Sequence, residues 1–215
     1  MSPQLFETMR AEGGAVALLD RHLARLSASA VVFEYSFDAD AARDAVAAAV
    51  RAAAPAPVHR VRLTLGAAVA VEATPLGGGA FATVWLCPDP LAEAGGPLCV
   101  HKTTDREHYE RPYREARRRG ADEALLVNAR GELVEGSRTS VWVERDGRML
   151  TPPLAAGGLP GIARAVLLEA LPGAAEAVLT PDDLRAAGAL YVSNALRGLV
   201  RVRLAGAGPA GAHVV

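Results

Sequence analysis

The chain has 215 residues, 51% of them hydrophobic, 22% charged, with a formal net charge of −1. That is enough apolar sequence to bury a sizeable core as one large domain or two small ones. A near-neutral balance, with Arg interleaved among Asp and Glu, leaves no electrostatic footprint for nucleic acid, and no apolar stretch is long and charge-free enough to span a membrane.

In chain order, Leu5 to Arg10 and Val16 to Leu18 flank Glu12-Gly13-Gly14, which predicts a hairpin with a Gly turn. Asp20 stands where a cap would start a helix whose Leu23, Leu26 and Ala30 share one face, ending near Phe33. Asp38 caps a second, Ala-rich helix through about Ala53, closed by Pro55 and Pro57. Strands are expected over His59 to Leu65, Ala68 to Ala73 and Phe81 to Cys87, with Gly77-Gly78-Gly79 between the last two. Together these make an α+β unit, and the Pro88 to Gly96 stretch serves as a linker. The expected division is a small N-terminal domain over residues 1–95 and a larger one over 96–215.

The second half opens with a helix from about Asp105 to Arg119, closed by Gly120. The strand Glu123 to Asn128 and a turn at Ala129-Arg130-Gly131 follow; Leu133-Val134, Thr139 to Glu144 and Arg148 to Leu150 then surround an Asp146-Gly147 hairpin turn. A loop from Pro152 reaches Leu159-Pro160-Gly161, with Pro160 suited to an early helical position before the Ile162 to Leu171 helix. Thr180-Pro181-Asp182-Asp183 starts a short helix, and strands Leu190 to Ser193 and Leu199 to Leu204 precede a Gly/Ala tail. The Arg117-Arg118-Arg119 run sits at a helix C-terminus, where the dipole favours cations. Cys87 and Cys99 lack metal-site spacing and are read as two reduced, packing thiols in a cytoplasmic protein. The Met1-Ser2-Pro3-Gln4 start has no signal-peptide charge pattern.

One residue type stands out. Lys102 is the only lysine in a chain with 22 arginines. Arg stays protonated, whereas a desolvated Lys amine can lose its proton and attack a carbonyl to form a Schiff base. The alternative is a leftover surface Lys; the apolar run Leu98-Cys99-Val100 leading into it points to a stem that enters protein. Glu135, at the end of a strand-like run and followed by Gly136-Ser137-Arg138-Thr139-Ser140, can hold a protonated heteroaromatic nitrogen. Backbone N–H groups at Ile162 and Ala163 open a helix, which makes a phosphate seat, and Arg25 can supply a bidentate counter-charge. Each of these has a plain structural alternative: a solvated Glu, a helix start, a surface ion pair. An amine, an acid and an anion seat together are what pyridoxal phosphate requires.

From about Leu5 to Leu204 the chain resembles the fold-type IV pyridoxal-phosphate enzymes, the class IV aminotransferase family, which includes branched-chain and D-amino-acid aminotransferases and aminodeoxychorismate lyase. The markers are Phe6-Glu7-Thr8-Met9-Arg10, His22-Leu23-Ala24-Arg25-Leu26, His101-Lys102-Thr103-Thr104-Asp105-Arg106, Val134-Glu135-Gly136-Ser137, Leu159-Pro160-Gly161-Ile162-Ala163-Arg164 and Ser193-Asn194-Ala195-Leu196-Arg197-Gly198, in that order. The Lys-Thr-Thr-Asp-Arg and Asn-Ala-Leu-Arg-Gly stretches look most like the lyase. The resemblance implies a two-domain α+β fold, a small α/β domain and a larger pseudo-barrel domain, with pyridoxal 5'-phosphate as cofactor. It implies Lys102 as the cofactor lysine, Glu135 on the pyridine nitrogen, and Arg25, Ile162 and Ala163 on the phosphate. Asn194 joins the cofactor set, and Tyr109 is a candidate for the phenolic oxygen, although the family Tyr lies closer to its Lys.

A dicarboxylate substrate calls for fixed cations, with Arg197, Arg106 and Arg10 as candidates, while Thr8 is a possible proton donor to the leaving enolpyruvyl group. His22 and His101 read as structural. Two departures stand: Ser140 replaces the usual Asn after the acid, and Ala195 replaces a transaminase hydroxyl residue. The resemblance begins directly at the Leu5-Phe6-Glu7 strand, and the segment from Gly66 to Leu98 is short. A homodimer is implied, with association to aminodeoxychorismate synthase as a further expectation. Three functions remain open: 4-amino-4-deoxychorismate lyase, an aminotransferase for branched-chain or D-amino acids, and a non-catalytic cofactor-binding homologue.

Overall fold

A computed structural model of the chain describes residues 3–79 and 81–206. Two compact units are present, Met1–Gly79 with Val100–Arg106, and Ala80–Cys99 with Glu107–Val215. The expected division was a single cut near residue 95. The contacts instead group Val100–Arg106, and with it Lys102, with the N-terminal unit. The cause is main-chain pairing along β1 (Leu5–Glu12): the Phe6 N–H donates to the Lys102 carbonyl at 2.9 Å, Leu5 bridges Thr103, and the Thr104 N–H donates to the Gln4 carbonyl at 2.7 Å.

In the first unit, β1 turns at Gly13-Gly14 into β2 (Ala15–Val16), both glycines at positive φ. Helices α1 (Leu19–Val32) and α2 (Ala39–Ala52) follow, then β3 (Val58–Leu65) and β4 (Val69–Pro75). The sheet order is β2-β1-β3-β4, antiparallel throughout. Strand alternation sends Leu5, Met9 and Ala11 with Val61, Leu63 and Leu65 to one face, where they pack on Leu23, Leu26, Ala30, Ala42 and Val46 of the helices. The opposite face carries Phe6, Thr8, Arg10, Arg60, Arg62 and Thr64. The Asp38 side chain caps α2 by accepting from the Asp40 and Ala41 N–H groups, as expected. Asp20 does not cap α1; Leu18 holds the N-cap in a left-handed conformation, and Asp20 in the first turn pairs with Arg43 of α2 at 2.6 Å.

The second unit contains β5 (Thr83–Leu86), the short α3 (Pro97–Val100), α4 (Glu107–Arg118), β6 (Glu123–Val127), β7 (Leu133–Gly136), β8 (Ser140–Arg145) and β9 (Arg148–Thr151). After a 3₁₀ turn at Leu154–Ala156 come α5 (Ile162–Ala170), β10 (Ala175–Glu176), α6 (Pro181–Ala186), β11 (Ala189–Asn194) and β12 (Gly198–Leu204). The eight strands form one mixed sheet in the order β10-β9-β8-β11-β12-β5-β6-β7. Strand β5, expected to complete the N-terminal unit, pairs in parallel with β12 and β6 here. The sheet's two faces feed separate cores. Leu125 and Leu133 join Val84, Val141, Val143 and Val192, while Leu126 and Val134 join Tyr109 and Ala116 of α4. Pro160 lies outside α5, whose N-cap is Gly161. Thr180 and Asp183 form a reciprocal capping box on α6. The chain's tail from residue 207 lies outside the described residues.

Candidate active site

In the first unit, Lys102 is held by the main-chain pairing of its segment to β1, and its Nζ lies 4.5 Å from the centroid of the Phe6 ring. Two guanidinium groups share that ring, Arg62 Cζ at 4.0 Å and Arg106 Cζ at 5.7 Å. Thr8 stands directly opposite Arg62 in the β1–β3 register, on the same sheet face. Arg10 is engaged by Glu12, to which its Nε and Nη2 donate at 3.2 and 2.9 Å. His101 bonds Ser29 Oγ through Nδ1 at 2.9 Å and meets Phe33 edge-on; burial lowers its pKa, consistent with a structural, neutral ring.

The helix-facing side of β1 carries a second cluster. Arg25 of α1 grips Glu7 with Nε to Oε1 at 2.8 Å and Nη2 to Oε2 at 2.6 Å, and His22 Nδ1 lies 2.7 Å from Glu7 Oε2. With Glu7 ionised, that His nitrogen donates. Burial alone would raise the Glu7 carboxyl, but the Arg25 charge and the bonds from His22 and Arg25 outweigh it and bring the pKa to about 2. Arg25 thus engages Glu7 and Lys102 engages Phe6, consecutive residues of the same strand.

In the second unit, Glu135 of β7 is buried, and its Oε1 accepts from the Tyr109 hydroxyl at 2.6 Å and from the Leu159 N–H at 3.0 Å. Burial and the adjacent Glu135 carboxylate push the Tyr109 phenol far above its ordinary range, so it stays a donor. A Cβ on Gly158 would come within 3.2 Å of the Glu135 carboxyl carbon, so the 157–161 loop closes on this acid through a glycine. Ile162 and Ala163 open α5, whose Gly161 N-cap supplies no side chain to the first-turn N–H groups. Ser140 stands beside that helix start, its Oγ 2.8 Å from where a Gly161 Cβ would be. Arg164 faces inward, donating to the Pro152 carbonyl at 2.7 Å and to Glu176 at 2.5 Å. Asn194 Oδ1 accepts from the N–H groups of Leu196 and Arg197 at 3.1 and 2.9 Å, fixing the turn that presents the half-buried Arg197.

The turn after Glu135 is braced by Glu123, a fully buried carboxylate that accepts from the Ala124 N–H at 2.8 Å, the Arg138 N–H at 3.0 Å, Thr139 Oγ1 at 3.1 Å and Ser137 Oγ. Burial raises its pKa against the pull of these bonds. Among the described residues, no cluster of three or more His, Cys, Asp or Glu is placed to hold a metal, and no helix is long and apolar enough to cross a membrane. The Arg117-Arg118-Arg119 run is consumed by ion pairs with Asp122 and Glu115.

The candidate residues thus fall into two groups. Lys102, Thr8, Arg10, Arg25 and Arg106 belong to the first unit, and Glu135, Tyr109, Ile162, Ala163, Asn194 and Arg197 to the second. The structure brings Lys102 and Arg106 onto one ring and joins Tyr109 to Glu135. Sequence reasoning missed Arg62, Glu7 and Glu123 as parts of these clusters. The alternation His59-Arg60-Val61-Arg62-Leu63, cation on one face and apolar on the other, was the available signal for Arg62.

A model of the amino-transferase class IV family matches residues 4–205. A Schizosaccharomyces pombe protein named "Putative aminodeoxychorismate lyase" is 32% identical over 170 residues, covering 77% of this chain and 73% of that protein. The solved structure of a Mesorhizobium loti protein named "Putative amino-acid aminotransferase" matches with a TM-score of 0.85 and 36% identity over 94% of this chain and 100% of the other. Another solved structure, named "Putative 4-amino-4-deoxychorismate lyase", matches with a TM-score of 0.83 and 33% identity over 94% of this chain and 84% of the other.

Proposed function

Because the chain belongs to the amino-transferase class IV family, whose members are pyridoxal-phosphate enzymes, we propose that it is a 4-amino-4-deoxychorismate lyase, releasing pyruvate and forming 4-aminobenzoate for folate synthesis. The observation that carries this reading within the family is the cationic sheet face around Lys102, which suits a dicarboxylate better than an apolar amino acid. The similarity to two proteins bearing the lyase name supports it.

The donor set fits the cofactor. The chain offers one side-chain amine, Lys102; one buried carboxylate anchored by a phenol and a main-chain N–H, Glu135; and a helix start preceded by glycine with no side-chain cap. Lys102 would carry the cofactor covalently, the Ile162 and Ala163 N–H groups with Arg25 would hold its phosphate, and Asn194 would shape the adjoining turn. When bound, the cofactor supplies an electron sink for the pair left behind when a proton leaves the amine-bearing carbon. The incoming substrate amine would take the place of Lys102 on the cofactor, and the Lys102 amine released in that exchange would remove that proton. Glu135 would hold a proton at the pyridine nitrogen, its carboxylate kept in place by the hydrogen bond that Tyr109 donates to it. Thr8 delivers a proton to the methylene of the departing enolpyruvyl group, while Arg106 and Arg197 receive carboxylates. Arg10, already engaged by Glu12, contributes less.

With aminodeoxychorismate alone, the enzyme is expected to release 4-aminobenzoate and pyruvate in equal amounts over many turnovers. Activity only with an amino acid and keto acid pair would replace this reading with the aminotransferase, the alternative favoured by the amino-acid aminotransferase name of one solved relative. We also assign it as a cytoplasmic homodimer, with aminodeoxychorismate synthase as a candidate partner; a monomer with full activity by light scattering would remove the dimer.

A further inference from the structure

The face of the N-terminal sheet opposite its helices gathers cations around Phe6. Alternation along β1, β3 and β4 places Phe6, Thr8, Arg60, Arg62, Thr64 and Glu72 on one side, with Thr8 opposite Arg62 and Arg62 opposite Glu72 in register. Arg62, Lys102 and Arg106 all gather on the Phe6 ring. The ring's negative face attracts each cation, but the cations repel one another, so the arrangement favours an anion that settles among them. Burial, Arg60 and Arg106 all lower the Arg62 pKa, and Glu72 is the opposing influence. Among the described residues, Arg62 forms no ion pair with a carboxylate, in contrast to Arg10 on the same face, which is held by Glu12. Arg62 also lines an open depression with Thr64, Ala70, Val71 and Glu72.

We propose that Arg62, acting with Arg106, seats a substrate carboxylate beside Lys102 and thereby selects an amine bearing two carboxylates over a monocarboxylate amino acid. The inference deepens the lyase reading and rests on it for the identity of the reacting amine. A guanidinium suits the role because its planar fork meets a carboxylate bidentately, which an ammonium cannot do. Glu72 is the restraint on this seat, close enough to oppose an incoming anion without closing the site.

The test measures binding to the cofactor-loaded enzyme by calorimetry, with chorismate as a dicarboxylate that lacks the reactive amine and benzoate as a monocarboxylate. Arg62→Leu is expected to weaken chorismate binding by about tenfold or more while leaving benzoate binding and cofactor content unchanged. Glu72→Gln should tighten chorismate. Arg62→Lys, which keeps the charge and guards against a fold defect in the leucine variant, should fall between Arg62→Leu and wild type. A chorismate affinity within about twofold of wild type in folded Arg62→Leu, or a loss shared equally with benzoate, overturns the proposal. So does a fall in cofactor content, which would assign Arg62 to the cofactor. If the Arg62 effect holds but aminodeoxychorismate is not turned over, the lyase reading fails and the dicarboxylate seat stands; the reverse pattern sinks the seat alone.

Discussion

Arg25 enters any cofactor site already paired. Its side chain is 13% exposed and its partner Glu7 2%, and the two make a bidentate contact with His22 behind them. In the proposed site Arg25 would therefore bring directed N–H donors to the phosphate more than uncompensated charge. Arg25→Ala should release cofactor and also leave Glu7 as a buried carboxylate held by His22 alone, lowering stability by about 3 kcal/mol in denaturant titrations. The double variant Glu7→Gln/Arg25→Gln should regain most of that stability while still retaining cofactor poorly. The pH dependence has a definite sign. The folded pKa of Glu7 is about 2 against an ordinary 4.5, so its stabilisation is complete above pH 4.5 and is lost as the pH falls toward 2. The amount is about 3 kcal/mol, because each pH unit separating the folded and unfolded values corresponds to about 1.4 kcal/mol. Acid titration of the double variant should lack this component; an unchanged acid profile would show that Glu7 is not its source.

The start of α5 and the turn after β7 are the elements that would supply the proposed cofactor site in the second unit. Gly161 lets the chain pass Ser140 into the helix, and a methyl group there would come within 2.8 Å of Ser140 Oγ. Gly161→Ala should therefore reduce cofactor affinity by about fivefold, with little change in melting temperature, because the crowding falls on Ser140 and Arg164 beside the helix start and not on the core. Glu123 acts on the neighbouring turn. Glu123→Gln replaces an acceptor-only group that meets four donors, so one donor must face the new amide N–H₂, at a cost of about 1–3 kcal/mol. Because the Ser137–Thr139 turn follows directly on Glu135, hydrogen exchange in that segment should rise more than elsewhere in the second unit. Uniform exchange across the unit would mean that Glu123 only supports the core.

At the scale of the whole molecule, the chain crosses between its two units more than once, and the lysine-bearing segment pairs with the unit that precedes it. A fragment ending at Gly79 would leave the Phe6 N–H and the Gln4 carbonyl without their partners in Lys102 and Thr104, and would bare an apolar strand edge. It should aggregate or remain unfolded, whereas a fragment ending at Arg106 should show cooperative melting by circular dichroism. Equal behaviour of the two fragments would mean that the segment is attached but not needed. The single lysine gives a second whole-chain measurement: borohydride reduction of the cofactor-loaded protein should bleach its visible colour and place the label on Lys102. Label found solely on the N-terminus would remove Lys102 from the chemistry.

Local chemistry made much of this molecule readable from its residues. The Gly13-Gly14 hairpin, the Asp38 cap, the Thr180 capping box and the alternation of β1 and β3 depend on contacts only a few residues apart, so short stretches determine them. The rarity of Lys102 and the motifs around Arg25, Glu135 and Ile162 likewise pointed to a phosphate-bearing carbonyl cofactor, because an amine, an acid and a helix start are identifiable without coordinates. Tertiary structure decided the rest. Parallel pairing put β5 between β12 and β6, a choice that alternation cannot reveal because the pairing residues lie far apart in the chain. The same long-range pairing moved the Lys102 segment to β1, gave Arg25 its Glu7 partner across 18 residues, and set Arg62 beside Arg106 on the Phe6 ring. An arginine's charge can be read from the sequence, but whether an acid has already claimed it depends on which strands and helices become neighbours.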